Sequence, residues 1–291
     1  MSFTSPRRPR FDIPNLGFGV GLRTVHYGHI LSRRPSVDWF EILSENFMDA
    51  KGRPTYILDQ VAERYPIVMH GVSLSIGSTD PLNREYLRRL KALAARVKAG
   101  WVSDHVCWTG VALRNTHDLL PMPYTEESLR HVVRRAKQIS DILERPIVLE
   151  NPSTYCQFAA STINEWDFFR RLGEEADCGF LLDVNNVYVS SFNHGFDPAE
   201  FIRKFPHERV VQYHLAGHSN YGTHILDTHS DHVIDPVWKL YRLAHQLSGG
   251  RSTLLEWDEK IPSFEVVHAE VLKAKRLTGR LPKPAGVSVA S

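Results

Sequence analysis

Six short apolar runs in this chain each end on a side chain that can bind a metal. Val-Met leads into His70, Val-Ser-Asp into His105, Ile-Val-Leu into Glu150, Phe-Leu-Leu into Asp183, Val-Gln-Tyr into His214 and Thr-Leu-Leu into Glu256. A seventh run, Trp39 to Leu43, is followed at once by Glu45 and Asn46. Asp227-Thr228-His229 adds a carboxylate and an imidazole two residues apart, which face the same way in extended chain. Scattered imidazoles and carboxylates mean little. The same chemistry repeated at strand C-termini implies convergence, because a parallel barrel gathers those ends at one mouth.

The expected inner set is His70, His105, Glu150, Asp183, His214, Asp227, His229 and Glu256. Carboxylates crowded together repel one another and rise in pKa. Cations between them remove that cost, and a carboxylate such as Glu150 can bridge two ions. Mixed imidazole and carboxylate donors suit Zn, Fe or Mn; the lack of thiolate argues against Cu(I) or an iron–sulfur cluster. These residue types leave the choice among the three metals open. Any one of the histidines is more often a hydrogen-bonded core or surface residue, and only the set at strand ends reverses that balance.

The elements that must position these groups show as apolar, β-branched runs at residues 16–22, 39–43, 67–71, 101–105, 147–151, 179–183, 210–215 and 252–257. Unbroken apolar runs are strands covered on both faces, as in a parallel sheet. Amphipathic helices are expected at 82–98, 125–143, 236–246 and 264–277, with Thr125, Asp235 and Ser263 as N-caps. Units of roughly 30 to 45 residues fit βα repeats, so the fold class is α/β, a TIM-like (β/α)8 barrel. An open doubly wound sheet is the alternative, but G-F-G-V-G-L-R is a poor phosphate loop. The expected organisation is an N-terminal arm over 1–15, one metal-binding barrel over 16–278 and a disordered tail over 279–291. The segment 217–236, dense in His and Asp, is long for a connection, and long loops in such domains tend to be functional.

Composition narrows the class. With 42% hydrophobic and 23% charged residues and a net charge of +2, the chain has no strong field for nucleic acid or a membrane. No apolar stretch nears the roughly 18 residues of a membrane span, and Arg7, Arg8 and Arg10 precede no signal-like apolar region. Cys107, Cys156 and Cys178 lack C-x-x-C spacing and are expected to be buried free thiols in a reducing, cytoplasmic setting.

The segments V-D-W-F-E-I-L-S-E-N-F-M, M-H-G-V-S-L-S-I-G-S, S-D-H-V-C-W-T-G, L-L-P-M-P-Y-T-E-E-S-L, L-E-N-P-S-T-Y, L-L-D-V-N-N-V-Y-V-S and Y-H-L-A-G-H strongly resemble the multinuclear non-haem iron-dependent oxidases. The likeness runs from about residue 17 to 277, and looks closest to the branch that matures copper-binding peptides (bufferins). It implies a xylose-isomerase-like barrel with the eight inner residues as metal ligands. It also implies two, or at most three, iron ions of mixed Fe(II)/Fe(III) valence, with O2 as co-substrate. The implied reaction oxidises a cysteine of a ribosomally made precursor peptide to a thiooxazole, or to an oxazolone with a thioamide. A separate leader-peptide-binding partner protein is implied as well. One position departs from the fullest pattern: Asn186 stands where some relatives have His, which leaves a third ion loosely held or absent. Glu45, Asn151, Asn185 and Asp258 are candidate orienting or catalytic groups, each as readily structural.

Two other classes compete. A hydrolase or isomerase of the endonuclease IV or xylose isomerase type could use the same barrel, since fold is not function. A non-catalytic metal-binding protein would account for the surplus of His, including His26, His29, His194, His218, His224 and His232.

Overall fold

Each expected run pairs as a strand, and the pairing continues right round a ring. The computed structural model describes residues 13–112 and 114–279. Among these, the strands in chain order are β1 (Phe18–Gly21), β2 (Trp39–Leu43), β3 (Ile67–His70), β4 (Val102–His105), β5 (Trp108–Val111) and β6 (Arg114–Leu120). They continue as β7 (Val148–Glu150), β8 (Gly179–Asp183), β9 (Val210–Leu215), β10 (Ser219–Asn220), β11 (Ile225–Leu226) and β12 (Ser252–Leu255). Strands β1, β2, β3, β4, β7, β8, β9 and β12 form a closed barrel in that order, every pair parallel. The other four make two antiparallel hairpins, β5–β6 and β10–β11, which the apolar pattern did not predict.

The helices are α1 (Tyr27–Arg33), α2 (Glu45–Met48), α3 (Arg53–Ala62), α4 (Arg84–Arg96), α5 (Glu126–Leu143), α6 (Glu165–Ala176), α7 (Val184–His194), α8 (Pro198–Lys204), α9 (Asp235–Ser248) and α10 (Phe264–Gly279). Thr125 caps α5 in a capping box with Ser128. Asp235 does not cap α9: Ile234 holds the cap position, and Asp235 lies in the first turn, where its charge suits the helix dipole. Gly279, expected to open the tail, instead closes α10; the rest of that tail lies outside the described residues. So does most of the 1–15 arm, but Ile13 packs with Leu16 beneath the barrel.

Strand alternation divides the side chains. Outward residues such as Phe40, Met69, Leu149, Phe180 and Tyr213 join the core shared with the helices. Inward residues Trp39, Val68, Trp101, Val148, Leu181, Val211 and Leu254 fill the lower bore. Trp39 and Trp101 pack edge to face there, with ring centroids 5.8 Å apart. A side chain on Gly19 would collide with the Trp39 indole, so glycine is what lets that ring cross the bore. Cys107 and Cys178 are buried thiols, but Cys156 is exposed, on the loop after β7.

Candidate metal centre

Two residues above that apolar layer, the bore turns ionisable. Val68 is followed by His70, Val148 by Glu150, Leu181 by Asp183 and Leu254 by Glu256, because alternate residues on a strand share a face. The structure brings all eight residues of the expected inner set to one mouth. His70 Nε2 and His105 Nε2 each lie 3.3 Å from Glu150 Oε2. His214 Nδ1 lies 2.9 Å from Glu256 Oε2, 3.7 Å from Glu150 Oε1 and 3.9 Å from Asp183 Oδ2. His229 sits 3.2 Å from Glu256 through Nδ1 and 2.8 Å from Asp227 through Nε2.

Four overlapping groups follow: His70–His105–Glu150, Glu150–Asp183–His214, Asp183–His229–Glu256 and Glu41–His214–Glu256. In each, one donor atom per residue lies within 4.8 Å of the others. Glu150 belongs to two groups and Asp183 to two. The fit to cations is testable on unsatisfied atoms, since buried polar atoms are almost always hydrogen-bonded. Glu150 Oε2, Asp183 Oδ2, Asn186 Oδ1, His214 Nδ1 and His229 Nε2 are buried without a hydrogen-bond partner. Three oxygens and two ring nitrogens left over in one mouth match a set of cation donors.

The backs of the imidazoles are held. His70 Nδ1 donates to Ser103 Oγ at 2.9 Å, and that hydroxyl donates on to Met69 O. His105 Nδ1 donates to Gly71 O at 3.2 Å. Both rings therefore turn Nε2 to the mouth. His214 is turned the other way, and a thread of bonds shows why. Trp101 Nε1 donates to Gln212 Oε1 at 2.6 Å, Gln212 Nε2 donates to Glu41 Oε2 at 2.7 Å, and Glu41 Oε1 lies 3.1 Å from His214 Nε2. Glu41 thus accepts the hydrogen bond from Nε2–H and leaves Nδ1 facing the carboxylates.

Burial and crowding shape the charges. Burial pushes Glu150 up to about 7, although His105 and His214 pull it back. Burial, then Glu150 and Asp227, hold Asp183 well above the usual carboxylate range. Burial and the neighbouring rings of His105 and His214 keep His70 well below the ordinary imidazole value. Burial opposes charge on His105 too, but Glu150 and Asp104 overcome it and lift the group to about 9. His214 and His229 rise well above their usual range against burial, drawn up by Glu41 and Glu256 and by Asp227 and Glu256 respectively. Burial would lift Glu256, but His214 and His229 hold it well below its usual range. Protons on imidazoles do here what metal cations would do with more charge and firmer geometry.

The remaining candidates separate by what they touch. Asn186 lines the mouth; its Nδ2 donates to Asn151 O at 3.1 Å, and its backbone N–H donates to Asp183 Oδ1, which caps α7. Asn151 uses both ends of its amide on the backbone of Asp183. Asn185 donates to Asp227 Oδ1 at 2.7 Å. Glu45 turns away: its Oε1 accepts from Val72 N and Tyr86 Oη, and Asn46 lines the mouth instead. Asp258 Oδ2 lies 3.0 Å from His229 Nδ1, and its other oxygen pairs with Arg23. The Asp227–His229 segment is not extended as expected. His229 takes φ +46°, a left-handed conformation uncommon for such a residue, stabilised by Asp258 N donating to its carbonyl. Three participants were missed: Glu41, Arg23, and His218, which donates to Asn185 Oδ1 at 2.7 Å. Glu41 is the one with a signal, a charge in the middle of an otherwise apolar strand. Among the other surplus histidines, His26 bonds Pro262 O and His194 bonds Thr154 Oγ1, both away from the mouth.

The sequence profile described as RiPP precursor modification enzyme MbnB/TglH/ChrH matches residues 17–279. A UPF0276 protein of Anaeromyxobacter sp. is 51% identical over 247 residues, 85% of this chain and 87% of its own. A UPF0276 protein of Caulobacter vibrioides is 49% identical over 267 residues, 91% of this chain and 95% of its own. Among solved structures, D-allulose 3-epimerase from Methylomonas sp. matches with TM-score 0.62 at 13% identity, over 92% of this chain and 100% of that one. A xylose isomerase-like TIM barrel fused to a 4-hydroxyphenylpyruvate dioxygenase matches with TM-score 0.55 at 12% identity, over 90% of this chain and 42% of that one. At such identities the likeness is one of fold.

Proposed function

Because the chain belongs to the RiPP precursor modification enzyme MbnB/TglH/ChrH family, we propose that it is an iron- and O2-dependent oxidase acting on cysteine residues of a precursor peptide. The observation that carries this reading is the run of three donor groups sharing Glu150 and Asp183, with five buried donor atoms unsatisfied. A single ion cannot use that set. The donors are nitrogen and oxygen only, which suits iron but also manganese or zinc; the resemblance favours iron.

In this reading His70, His105 and Glu150 would hold one ion, Glu150, Asp183 and His214 the next, and Asp183, Asp227, His229 and Glu256 a third, weaker one beside Asn186. Bound iron would supply the thiolate affinity and the O2 activation that no side chain in the mouth can supply. The chain's part is positional. Ser103 and Gly71 O fix the tautomers of His70 and His105, Glu41 fixes His214, and Asp258 with Arg23 fixes His229. The mouth is a cavity of about 420 Å³ lined also by Leu43, Val72, Leu119 and Pro152, apolar groups that exclude water around a bound cysteine. The product is a thiooxazole or an oxazolone with a thioamide, the leader-binding partner is a separate protein, the setting is cytoplasmic, and the pathway serves copper homeostasis.

The test is to co-express the chain with small Cys-rich open reading frames from its own genome, weigh the peptides, and analyse metal in anaerobically purified protein. Iron together with peptides lighter by hydrogen supports the reading. Zinc with cleavage of abasic DNA, or with sugar isomerisation, replaces it with a hydrolase or isomerase. Metal without any turnover of O2 and peptide leaves a storage protein.

A further inference from the structure

A cavity larger than the mouth, about 660 Å³, lies between the β5–β6 hairpin and the N-terminal half of α5. We propose that this groove holds the segment of the substrate peptide flanking its cysteine, an extended acidic stretch with an apolar anchor. This rests on the peptide-modifying reading above.

The floor and sides are apolar: Trp108, Val111, Met122 and Phe158. Val111 is 42% exposed and Phe158 38%, so two large apolar side chains face water across one groove. The rim is cationic. Arg130 and Arg134 lie on the exposed face of α5, and Glu127, in the first helical turn, is the one acid among the lining residues. Arg134 is already aimed. His131 Nε2 donates to Ser78 O at 2.9 Å, which leaves Nδ1 an acceptor, and Arg134 Nη2 donates to it at 3.0 Å. A guanidinium held by a neutral ring keeps its full charge for a ligand while losing its freedom beforehand, which is how preorganised sites gain affinity.

Chain connectivity ties this groove to the mouth. Leu119 lines the mouth and Met122 the groove, at most about 10 Å of chain apart. On the other side, Ser153 lines the mouth and Phe158 the groove; between them Thr154 and Cys156 line a third cavity of about 440 Å³ that shares Met122 and Phe158 with the groove. A peptide with its cysteine in the mouth therefore has the groove within reach of roughly four to six extended residues. The groove's size suits a few residues of extended chain. A folded partner would need on the order of 1,000 Å² of contact. A flanking segment joined to the cysteine also gains from effective concentration.

The experiment uses the iron-loaded full chain and two fluorescein-labelled synthetic peptides read by anisotropy. One carries Cys, a Gly-Ser spacer and Asp-Leu-Asp-Phe-Glu; the other has Lys at each acidic position. The acidic probe is expected to bind at least about tenfold more tightly, a preference that weakens with salt. The double variant Arg130→Glu/Arg134→Glu should reverse the preference, and Phe158→Ser should weaken both probes, with thermal melting unchanged because all three side chains are exposed. Equal affinity for the two probes, or a double variant that behaves as the parent, overturns the proposal. So does a double variant that loses a co-purifying protein but keeps its probe preference, since the groove would then belong to that protein. Binding is read without turnover. A chain that discriminates the probes but never oxidises a peptide removes the oxidase reading alone, and one that oxidises a peptide with unchanged KM in the double variant removes the groove alone.

Discussion

The lower and upper halves of the barrel bore are built from the same strands, offset by two residues, and their physics is opposite. Below, Trp39, Val68, Trp101, Val148, Leu181, Val211 and Leu254 bury apolar surface and favour folding at about 25 cal/mol per Å². Above, His70, His105, Glu150, Asp183, His214 and Glu256 bury charge, which costs stability unless it is compensated. The lower layer is the fold's investment; the upper one is tolerable because the lower exists and because cations could sit in it.

The sharpest way to break that division is to remove a shared donor. Glu150→Ala or His214→Ala should abolish loading of the paired ions, read as metal per folded chain by mass spectrometry. Full metal content in either variant would remove the ligand assignment. Next in size, Leu181→Ala should cost about 2–5 kcal/mol through the cavity it leaves, a fall in Tm on the order of 10 °C, with metal per folded chain largely kept. Loss of metal without loss of Tm would reverse the two layers' roles.

Glu165 sharpens the comparison from outside the mouth. Burial pushes this carboxyl up to about 8, partly offset by a hydrogen bond from Tyr124, and no cation is among the causes. Its folded pKa lies above the unfolded value, so the folded state holds the extra proton between pH 4.5 and 8. The stability it contributes is full below about 4.5 and is lost as pH rises through about 8. Glu165→Gln should flatten that slope and raise Tm at pH 9 relative to the parent. An unchanged slope in denaturant titrations across this window would show that the carboxyl is solvated. The smallest effect is expected at Asn186→His, which replaces a neutral amide by an imidazole beside Asp183 and should tighten a third ion; unchanged stoichiometry would count against that place for it.

The barrel was legible because strands covered on both faces leave unbroken apolar runs, and the mouth because six runs end on a donor, four of them two residues past an inward apolar residue. Glu41 escaped because it interrupts a run instead of ending it. His218 and Arg23 escaped because they act through Asn185 and Asp258, contacts between segments 33 and 235 residues apart. The β5–β6 hairpin carries Arg114, Asn115, His117 and Asp118 on exposed positions, so it has no apolar alternation to read. His229 was expected in extended chain because two-residue spacing alone cannot reveal a left-handed turn. Cys156 was expected buried on the habits of its residue type, yet it sits exposed on the loop after β7.

The bonds from Trp101 through Gln212 and Glu41 carry a further implication. An indole can only donate, so it settles which end of the Gln212 amide points upward, and that in turn settles which nitrogen of His214 is left bare. The handedness of a prospective coordination bond is thus dictated from the hydrophobic basement of the barrel. A Trp101→Phe exchange, which keeps an aromatic ring but removes the donor, would free that amide to flip and let the histidine offer its other face.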